Sequence, residues 1–306
     1  MISLPESELE FCESNNVAVL TPGERAYPRR LAGMSDAPDP LFCLGSCDLN
    51  TEHAVAIVGT RDCTAYGNRV TSAIVEYLAE SLSDLLVISG LAYGIDVAAH
   101  QAALRCGVPT VGVVAHGLKT IYPSQHRDIA ARMVREGGAL VTAYTSGIHA
   151  ERRNFLERNK VIAGMADTVI VVESKEHGGA LVTASHCRKL GRTVCAVPGE
   201  VTASASRGTN SLIYCGMAKM VRGGEDVAEV MGWTADKVSE PEAIAPSLPA
   251  DLQKIVDHLR KHPEHTADHI IRVFDLPYSA LASMITRLEL AGALEALPGG
   301  RFKLMV

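Results

Sequence analysis

Hydrophobic positions along the chain follow two alternating patterns. Six short runs are apolar at nearly every position, which is typical of strands buried on both faces of a parallel sheet. These runs are AVAIVG (54–59), LLVIS (85–89), TVGVVA (110–115), ALVTAY (139–144), TVIVVE (168–173) and TVCAVP (193–198). Stretches with helical spacing of apolar residues lie between them, at 70–82, 95–105, 124–136, 157–166 and 180–190. The alternation of strand and helix predicts a doubly wound, mostly parallel α/β sheet.

A second, smaller pattern follows a break in the periodicity. Residues 234–249 contain three prolines and no aromatic residue, which predicts a linker. Three helical stretches come next, and a Pro-Gly-Gly sequence between two short apolar runs predicts a closing hairpin. Three helices and a hairpin are typical of a winged-helix domain over 250–306. Its third helix and hairpin carry only Arg287, Arg301 and Lys303, so protein interaction or dimer support is favoured over duplex recognition.

Composition and charge narrow the class of protein. The 306 residues carry a net charge of −6, and nine of the acidic residues lie in the first 53. Residues 54–240 are close to neutral, which disfavours a strongly basic nucleic-acid binder but allows a local basic patch. The chain shows neither a membrane-spanning apolar run nor the order of a signal peptide. We therefore expect a cytoplasmic protein that does not enter the membrane.

The predicted strands end in loops rich in glycine, hydroxyl and basic residues. The loops concerned are 59–61, 89–96, 116–117, 173–183, 198–199 and 206–210. Ligands of open α/β sheets bind at the carboxyl ends of the strands. Glycine allows a ligand to approach the backbone, and helix N-termini offer unpaired N–H groups. Several such loops on one rim favour an anion site, with phosphate as the obvious anion, over glycines that only close tight turns.

Known phosphate and catalytic motifs do not match these loops. The sequence has no GxxxxGK[ST] P-loop, and Gly90 and Gly94 form GxxxG rather than the dinucleotide motif GxGxxG. Neither a metal-ligand motif nor a GxSxG nucleophile elbow occurs.

The segment 151–160, ERRNFLERNK, combines four cations with one aromatic residue. Cations that follow a sugar-phosphate backbone and a ring that stacks on a base are what single-stranded nucleic acid requires. A solvated helix face with Phe155 in the core explains the same pattern equally well. The residues alone leave these two interpretations open.

Seven motifs, taken in order, resemble the DNA-processing protein A family, also called DprA or Smf. They are IVGTR (57–61), SGLAYGIDVAAH (89–100), YPSQHR (122–127), NFLERNKVIAGMAD (154–167), GGALVTA (178–184), VPGEV (197–201) and SRGTNSLI (206–213). The resemblance covers about residues 25–222, and the region after 250 resembles the winged-helix domain of the family. It implies an extended Rossmann-like fold over 25–233, preceded by a truncated, acidic N-terminal segment over 1–24.

The resemblance also implies a function. Members of this family bind single-stranded DNA, form homodimers and load the RecA recombinase onto incoming strands during natural transformation, or competence. The resemblance implies no catalytic residue, no cofactor and no metal. Carried over residue by residue, it places the DNA-binding site at Arg61, Ser89, Gly90, Phe155, Arg158, Asn159, Lys160, Gly178, Gly179 and Thr183.

The sequence departs from the family pattern at several site positions. Tyr93 replaces a common basic residue, Leu156-Glu157 replaces Pro-Arg, and Lys160 replaces Arg. His177 and Gly179 stand where Ser and Ser or Thr are common. Since each lost phosphate contact weakens binding, we expect these changes to affect affinity more than the fold.

Two other functions remain open at this stage. The first is a nucleotide-binding or nucleotide-hydrolysing Rossmann-like enzyme related to the lysine-decarboxylase-like group, although the PGGxGT loop and following Glu of that group are absent. The second is an interaction scaffold that docks through its winged helix and has lost DNA binding.

Overall fold

The computed structural model of the chain describes residues 4–233, 249–262, 266–290, 294–297 and 300–304. The chain forms two compact units, Met1–Lys237 and Val238–Val306. Except for Pro249, the linker predicted over 234–249 lies outside the described residues.

The described part of the first unit is built on a nine-stranded sheet. The strands are β1 (Val17–Leu20), β2 (Leu41–Gly45), β3 (His53–Val58), β4 (Leu85–Ser89), β5 (Thr110–Val113), β6 (Ala139–Thr142), β7 (Thr168–Val171), β8 (Thr193–Ala196) and β9 (Lys219–Met220). Their spatial order is β1-β2-β6-β5-β4-β3-β7-β8-β9. Strands β3 to β9 run parallel, whereas β1 and β2 pair antiparallel at one edge. All six predicted runs are strands, and the mostly parallel, doubly wound sheet is confirmed.

Helices connect the strands and cover both faces of the sheet. They are α1 (Glu6–Ser14), α2 (Arg29–Ala32), α3 (Ala65–Ser81), α4 (Ile95–Arg105), α5 (Arg127–Arg135), α6 (Arg152–Met165), α7 (Gly179–Lys189), α8 (Arg207–Tyr214) and α9 (Gly224–Met231), with 3-10 turns at Ser124–His126 and Ser204–Ser206. Helix α6 begins at Arg152, ahead of the predicted 157. The prediction began later because the first turn is polar and shows no apolar periodicity. Within the segment 1–24, the structure forms α1 and the sheet strand β1.

Strand β3 shows why the predicted runs are apolar throughout. Ala54, Ala56 and Val58 pack into one hydrophobic core, and Val55 and Ile57 pack into the core on the opposite face. Successive strand side chains point to opposite faces, so a strand covered on both sides must be apolar at each position. Helices α6 and α7 contribute to the first core, whereas α3, α4 and α9 contribute to the second.

The order of the strands reverses direction between β3 and β7. Strands β4, β5 and β6 are added on one side of β3, and β7, β8 and β9 on the other. The chain therefore leaves β3 and β7 toward opposite faces, through α3 and α7. A crevice opens at the carboxyl ends of two such strands, where open α/β sheets bind their ligands.

The second unit contains three helices and a hairpin, as the sequence predicts. They are α10 (Ala250–Lys261), α11 (Ala267–Phe274), α12 (Tyr278–Leu290), β10 (Leu294–Leu297) and β11 (Arg301–Leu304). The two strands pair antiparallel, and the Pro-Gly positions of the predicted turn, 298 and 299, lie outside the described residues. Leu252, Ile255 and Leu288 are among the residues of its separate core. This arrangement confirms the winged-helix-like prediction.

Candidate single-stranded nucleic-acid interface

A cleft of about 670 Å³ opens at the carboxyl ends of β3 and β7. Loops from both strands and the starts of α6 and α7 form its walls. Of the ten predicted site residues, the cleft is lined by Arg61, Phe155, Arg158, Asn159, Gly178, Gly179 and Thr183. The geometry therefore brings most of the predicted set to one place at the switch point of the sheet.

Two glycines allow the loops of the cleft to pack closely. Gly94 has φ +76°, and a Cβ there would collide with the carbonyl oxygen of Thr60. At Gly59 a Cβ would overlap the side chain of Ile95, which is the first residue of α4. Glycine is required at both positions because a side chain would push the loops apart.

The start of helix α7 faces the cleft without a side-chain cap. Gly178 is its N-cap residue, and no side chain accepts a hydrogen bond from the first turn. A Cβ added at Gly179 would meet no atom within 4 Å, so the surface beside this residue is open. Uncapped N–H groups and the positive end of the helix dipole provide a binding site for a phosphate group.

Phe155 is the centre of a cation-aromatic cluster on the opposite wall. The guanidinium carbons of Arg61 and Arg158 lie 5.1 and 5.6 Å from the centroid of its ring. The ring of Tyr122 lies edge-on to it, with a centroid distance of 5.9 Å. Arg61 is exposed, whereas Phe155 is partly buried. The first of these cations can therefore reach a ligand, while the ring forms part of the wall.

Arg158 is buried and holds the base of the cleft together. Its Nη1 donates to the carbonyl oxygens of Gly90 at 2.5 Å and Val113 at 2.6 Å. Burial lowers the pKa of Arg158 to about 10, so it stays charged at neutral pH. Burial also raises the pKa of the neighbouring Asp96, and the charge of Arg158 opposes this shift. Each charge compensates for the burial of the other.

The remaining predicted residues near this base support the walls. The Ser89 hydroxyl donates to the carbonyl of Ile57 at 2.6 Å and is fully buried. Asn159 accepts from Arg158 Nε at 3.2 Å and donates to the carbonyl of Gly179 at 3.4 Å, so it links α6 to α7. A DNA contact by these residues or by Gly90 stays a prediction. In the structure, the hydrogen bonds of Ser89 and Asn159 hold the elements of the cleft together.

Lys160 lies apart from this cleft. It lines a second cleft of about 350 Å³, where its Nζ is 2.7 Å from Glu157 and 3.4 Å from Asp36. On a helix with 3.6 residues per turn, Lys160 points about 140° away from Phe155, whereas Arg158 and Asn159 stay within about 60° of it. The helical period alone could therefore have predicted that Lys160 lies on a different face of α6 from the other predicted site residues.

Among the lining residues outside the ten predicted ones, four carry side chains suited to a nucleic-acid ligand: Tyr122, Arg152, Lys175 and His177. The last two follow β7 and precede α7, so their position in an anion loop was a usable signal. Tyr122 comes from a distant loop, and only the tertiary structure places it beside Phe155.

The charge of the cleft suits an anion. Its cationic lining residues are Arg61, Arg152, Arg158 and Lys175, and Asp96 is the only carboxylate among the described lining residues.

Within the described ranges, no group of three or more His, Cys, Asp or Glu residues is placed to hold a metal. The helices in the same ranges are too short or too polar to cross a bilayer.

The protein thus combines a Rossmann-like core, which has a cationic cleft at its switch point, with a winged-helix-like unit. Residues 18–232 match the family described as DNA recombination-mediator protein A, and residues 239–300 match the DprA winged helix domain. The chain belongs to the DNA recombination-mediator protein A family, whose members are named DprA or Smf.

Individual relatives agree with this assignment. Protein Smf of Escherichia coli is 31% identical over 309 residues, which cover 98% of this chain and 80% of that protein. The X-ray structure of DprA from Streptococcus pneumoniae superposes with a TM-score of 0.66 and 33% identity, covering 74% of this chain and 78% of that one. DNA processing protein A from Helicobacter pylori, which binds single-stranded DNA, superposes with a TM-score of 0.62 and 25% identity. The superposition covers 70% of this chain and 95% of that one.

Proposed function

We propose that this protein is a recombination mediator that binds and protects single-stranded DNA in the cleft between β3 and β7. The observation that carries the proposal is the convergence of the uncapped start of α7, exposed Arg61 and the aromatic pair Phe155 and Tyr122 around one opening. Backbone phosphates would bind the cations and the helix start, and bases would contact the rings. Single-stranded DNA binding by the Helicobacter pylori relative supports this choice of ligand.

We propose further that binding is not accompanied by catalysis. The nucleotide-hydrolysing group carries a Glu after its phosphate loop, so that alternative requires an accessible carboxylate at the cleft. The carboxylate of Asp96, on the wall of the cleft, is 6% exposed and faces the buried Arg158. This arrangement supports a binding protein over the nucleotide-hydrolysing alternative, and incubation with nucleotides should release no base.

Replacement of Gly179 should affect DNA binding and folding stability in opposite directions. Gly179→Asp places a carboxylate in the open space at the start of α7, where it should favour the helix by about 0.3–1 kcal/mol. The same charge should repel a phosphate and weaken binding of oligo-dT about tenfold or more. Fluorescence anisotropy titration and thermal unfolding of the same samples measure the two effects.

Two variants serve as controls for this prediction. Gly179→Asn has the same shape without the charge and should bind more tightly than Gly179→Asp. Gly33→Asp adds the same charge at an exposed glycine outside the cleft and should bind like the wild type. Wild-type affinity in Gly179→Asp would show that the start of α7 does not hold the strand.

A homodimer is also part of this proposal. Four apolar side chains between the end of β8 and the end of β9 are exposed, and we propose that they form one apolar patch: Val201 (85% exposed), Tyr214 (92%), Met217 (40%) and Met220 (52%). Gly199 and Asn210 exchange two hydrogen bonds, at 3.1 and 3.0 Å, so the loop before Val201 packs on α8. Aromatic and methionine side chains are enriched at protein interfaces, and a twofold axis would pair this patch with itself.

Charge introduced into this patch should prevent the association. Tyr214→Asp combined with Met220→Asp is expected to give a monomer by size-exclusion chromatography with light scattering, because a dimer would bury the new carboxylates. Ile148→Asp, at a 42% exposed position outside the patch, should leave the dimer intact. Persistence of a dimer in the double variant would contradict this interface.

We propose the RecA recombinase as the protein partner to which bound strands pass during natural transformation. The family's description as a recombination mediator supports this choice. Purified RecA should be retained on the immobilised full chain when oligo-dT is bound. Failure to retain it under these conditions would contradict the partnership but not DNA binding.

A further inference from the structure

Tyr122 presents the more exposed of the two aromatic rings at the cleft. The side chain is 49% exposed and lines the opening. Its ring is inclined by 61° to that of Phe155. A half-exposed ring beside a cationic cleft has the chemistry that contacts the face of a nucleobase.

The ring of Phe155 is less accessible than that of Tyr122. Arg61, Arg158 and Tyr122 all lie against it, and the side chain is partly buried. A base that stacked on Phe155 would have to displace one of these neighbours. Tyr122 therefore offers the more open aromatic surface of the pair.

The backbone of Tyr122 is fixed by a buried histidine. Its N–H donates to Nε2 of His116 at 3.1 Å, and Nδ1 of His116 lies 2.9 Å from the carbonyl oxygen of Gly117. Since a carbonyl only accepts, Nδ1 carries the hydrogen and Nε2 is free to accept. Burial lowers the pKa of His116, which favours this neutral form. A ring on a fixed backbone loses less entropy when it binds a ligand.

We propose that Tyr122 is a stacking platform for one nucleobase of the bound single strand, and that a base held there is separated from one of its neighbours in the strand. This inference rests on the proposed function. A base that lies flat on the ring of Tyr122 gives up its stacking on one adjacent base, because the ring takes that base's place. Strands whose bases stack weakly should therefore be preferred, so oligo-dT should bind more tightly than oligo-dA.

The test compares oligonucleotides with and without bases. Fluorescence anisotropy titrations use oligo-dT, oligo-dA and an abasic oligonucleotide of equal length. Tyr122→Leu should weaken oligo-dT binding about tenfold, the range that loss of one base-aromatic stack gives, and leave the abasic affinity unchanged. Tyr122→Phe and Tyr122→Trp should retain oligo-dT binding. Tyr77→Leu, at a 37% exposed tyrosine outside the cleft, is the matched control.

The outcomes separate this inference from the proposed function. Equal losses for oligo-dT and the abasic strand in Tyr122→Leu would overturn the stacking role, as would wild-type affinity for both. Loss of oligo-dT binding in Tyr122→Trp would overturn it even if Tyr122→Leu failed to fold. A wild-type protein that bound none of the three strands would overturn the proposed function itself.

Discussion

Arg158→Ala is expected to lower the free energy of unfolding by about 3–5 kcal/mol, the range observed when a buried charge loses the opposite charge that compensates it. The substitution removes the larger of the two cationic influences on Asp96, which is 6% exposed. It also removes the donor that the carbonyls of Gly90 and Val113 share. Urea denaturation followed by circular dichroism measures the loss.

The pH dependence of this loss identifies its cause. An unpaired Asp96 carboxyl in the folded variant should have a pKa above its unfolded value, so its cost is absent at low pH and appears as pH rises through the folded pKa. Arg158→Ala should therefore be less destabilising at pH 5 than at pH 8, and adding Asp96→Asn should restore part of the stability.

A cation on the same helix provides the control. Arg153→Ala changes an exposed residue of α6 and should cost less than about 0.5 kcal/mol. If the free energy of unfolding of Arg158→Ala lay within about 1 kcal/mol of the wild-type value, Arg158 would not be what holds the base of the cleft together.

Removal of Arg61 and Lys175, two of the exposed cations of the cleft, should have the largest effect on DNA binding. Arg61 follows β3 and Lys175 follows β7, so they lie on loops from the two strands that frame the cleft. A hydrogen bond to a charged group contributes about 1.5–3 kcal/mol, so each loss should weaken binding at least about tenfold. The double variant should also reduce the slope of log affinity against log salt by about 1.4, because each phosphate contact on a single strand contributes about 0.7.

Titration of oligo-dT at several salt concentrations measures both quantities. Arg69→Ala combined with Arg135→Ala removes the same charge from exposed sites outside the cleft and should leave the affinity close to that of the wild type. An unchanged salt slope in the Arg61 and Lys175 double variant would mean that these cations do not contact phosphates.

The central sheet could be predicted because both of its faces are buried. Residues 54–58 are apolar without interruption, since alternate side chains enter two different cores. Strands β1 and β2 were not predicted. They form one edge of the sheet, and their apolar runs, VAVL (17–20) and LFCL (41–44), are only four residues long and lie outside the regular alternation of strands and helices. Helix α6 was predicted without its first turn because that turn is mostly polar.

The site was predictable only where the motif and the local structure coincide. Gly178 and Gly179 open a helix after a buried strand, which gives an anion site a recognisable sequence pattern. Arg158 and Lys160 lie in one cationic segment, yet one is buried beneath the cleft and the other pairs with acidic residues in a second cleft. Composition could not separate them, because the difference arises from the faces of α6 and from loops distant in sequence.

Hydrogen exchange of the backbone amides of Gly179 and Ala180 shows whether the start of α7 contacts the bound strand, because Gly178 and Leu181 already donate to backbone carbonyls. If the uncapped start of α7 holds the phosphate backbone, saturating oligo-dT should slow exchange at these amides and leave exchange in α5, over Arg127–Arg135, unchanged. Strand binding with unaltered exchange at Gly179 and Ala180 would place the interface elsewhere on the protein.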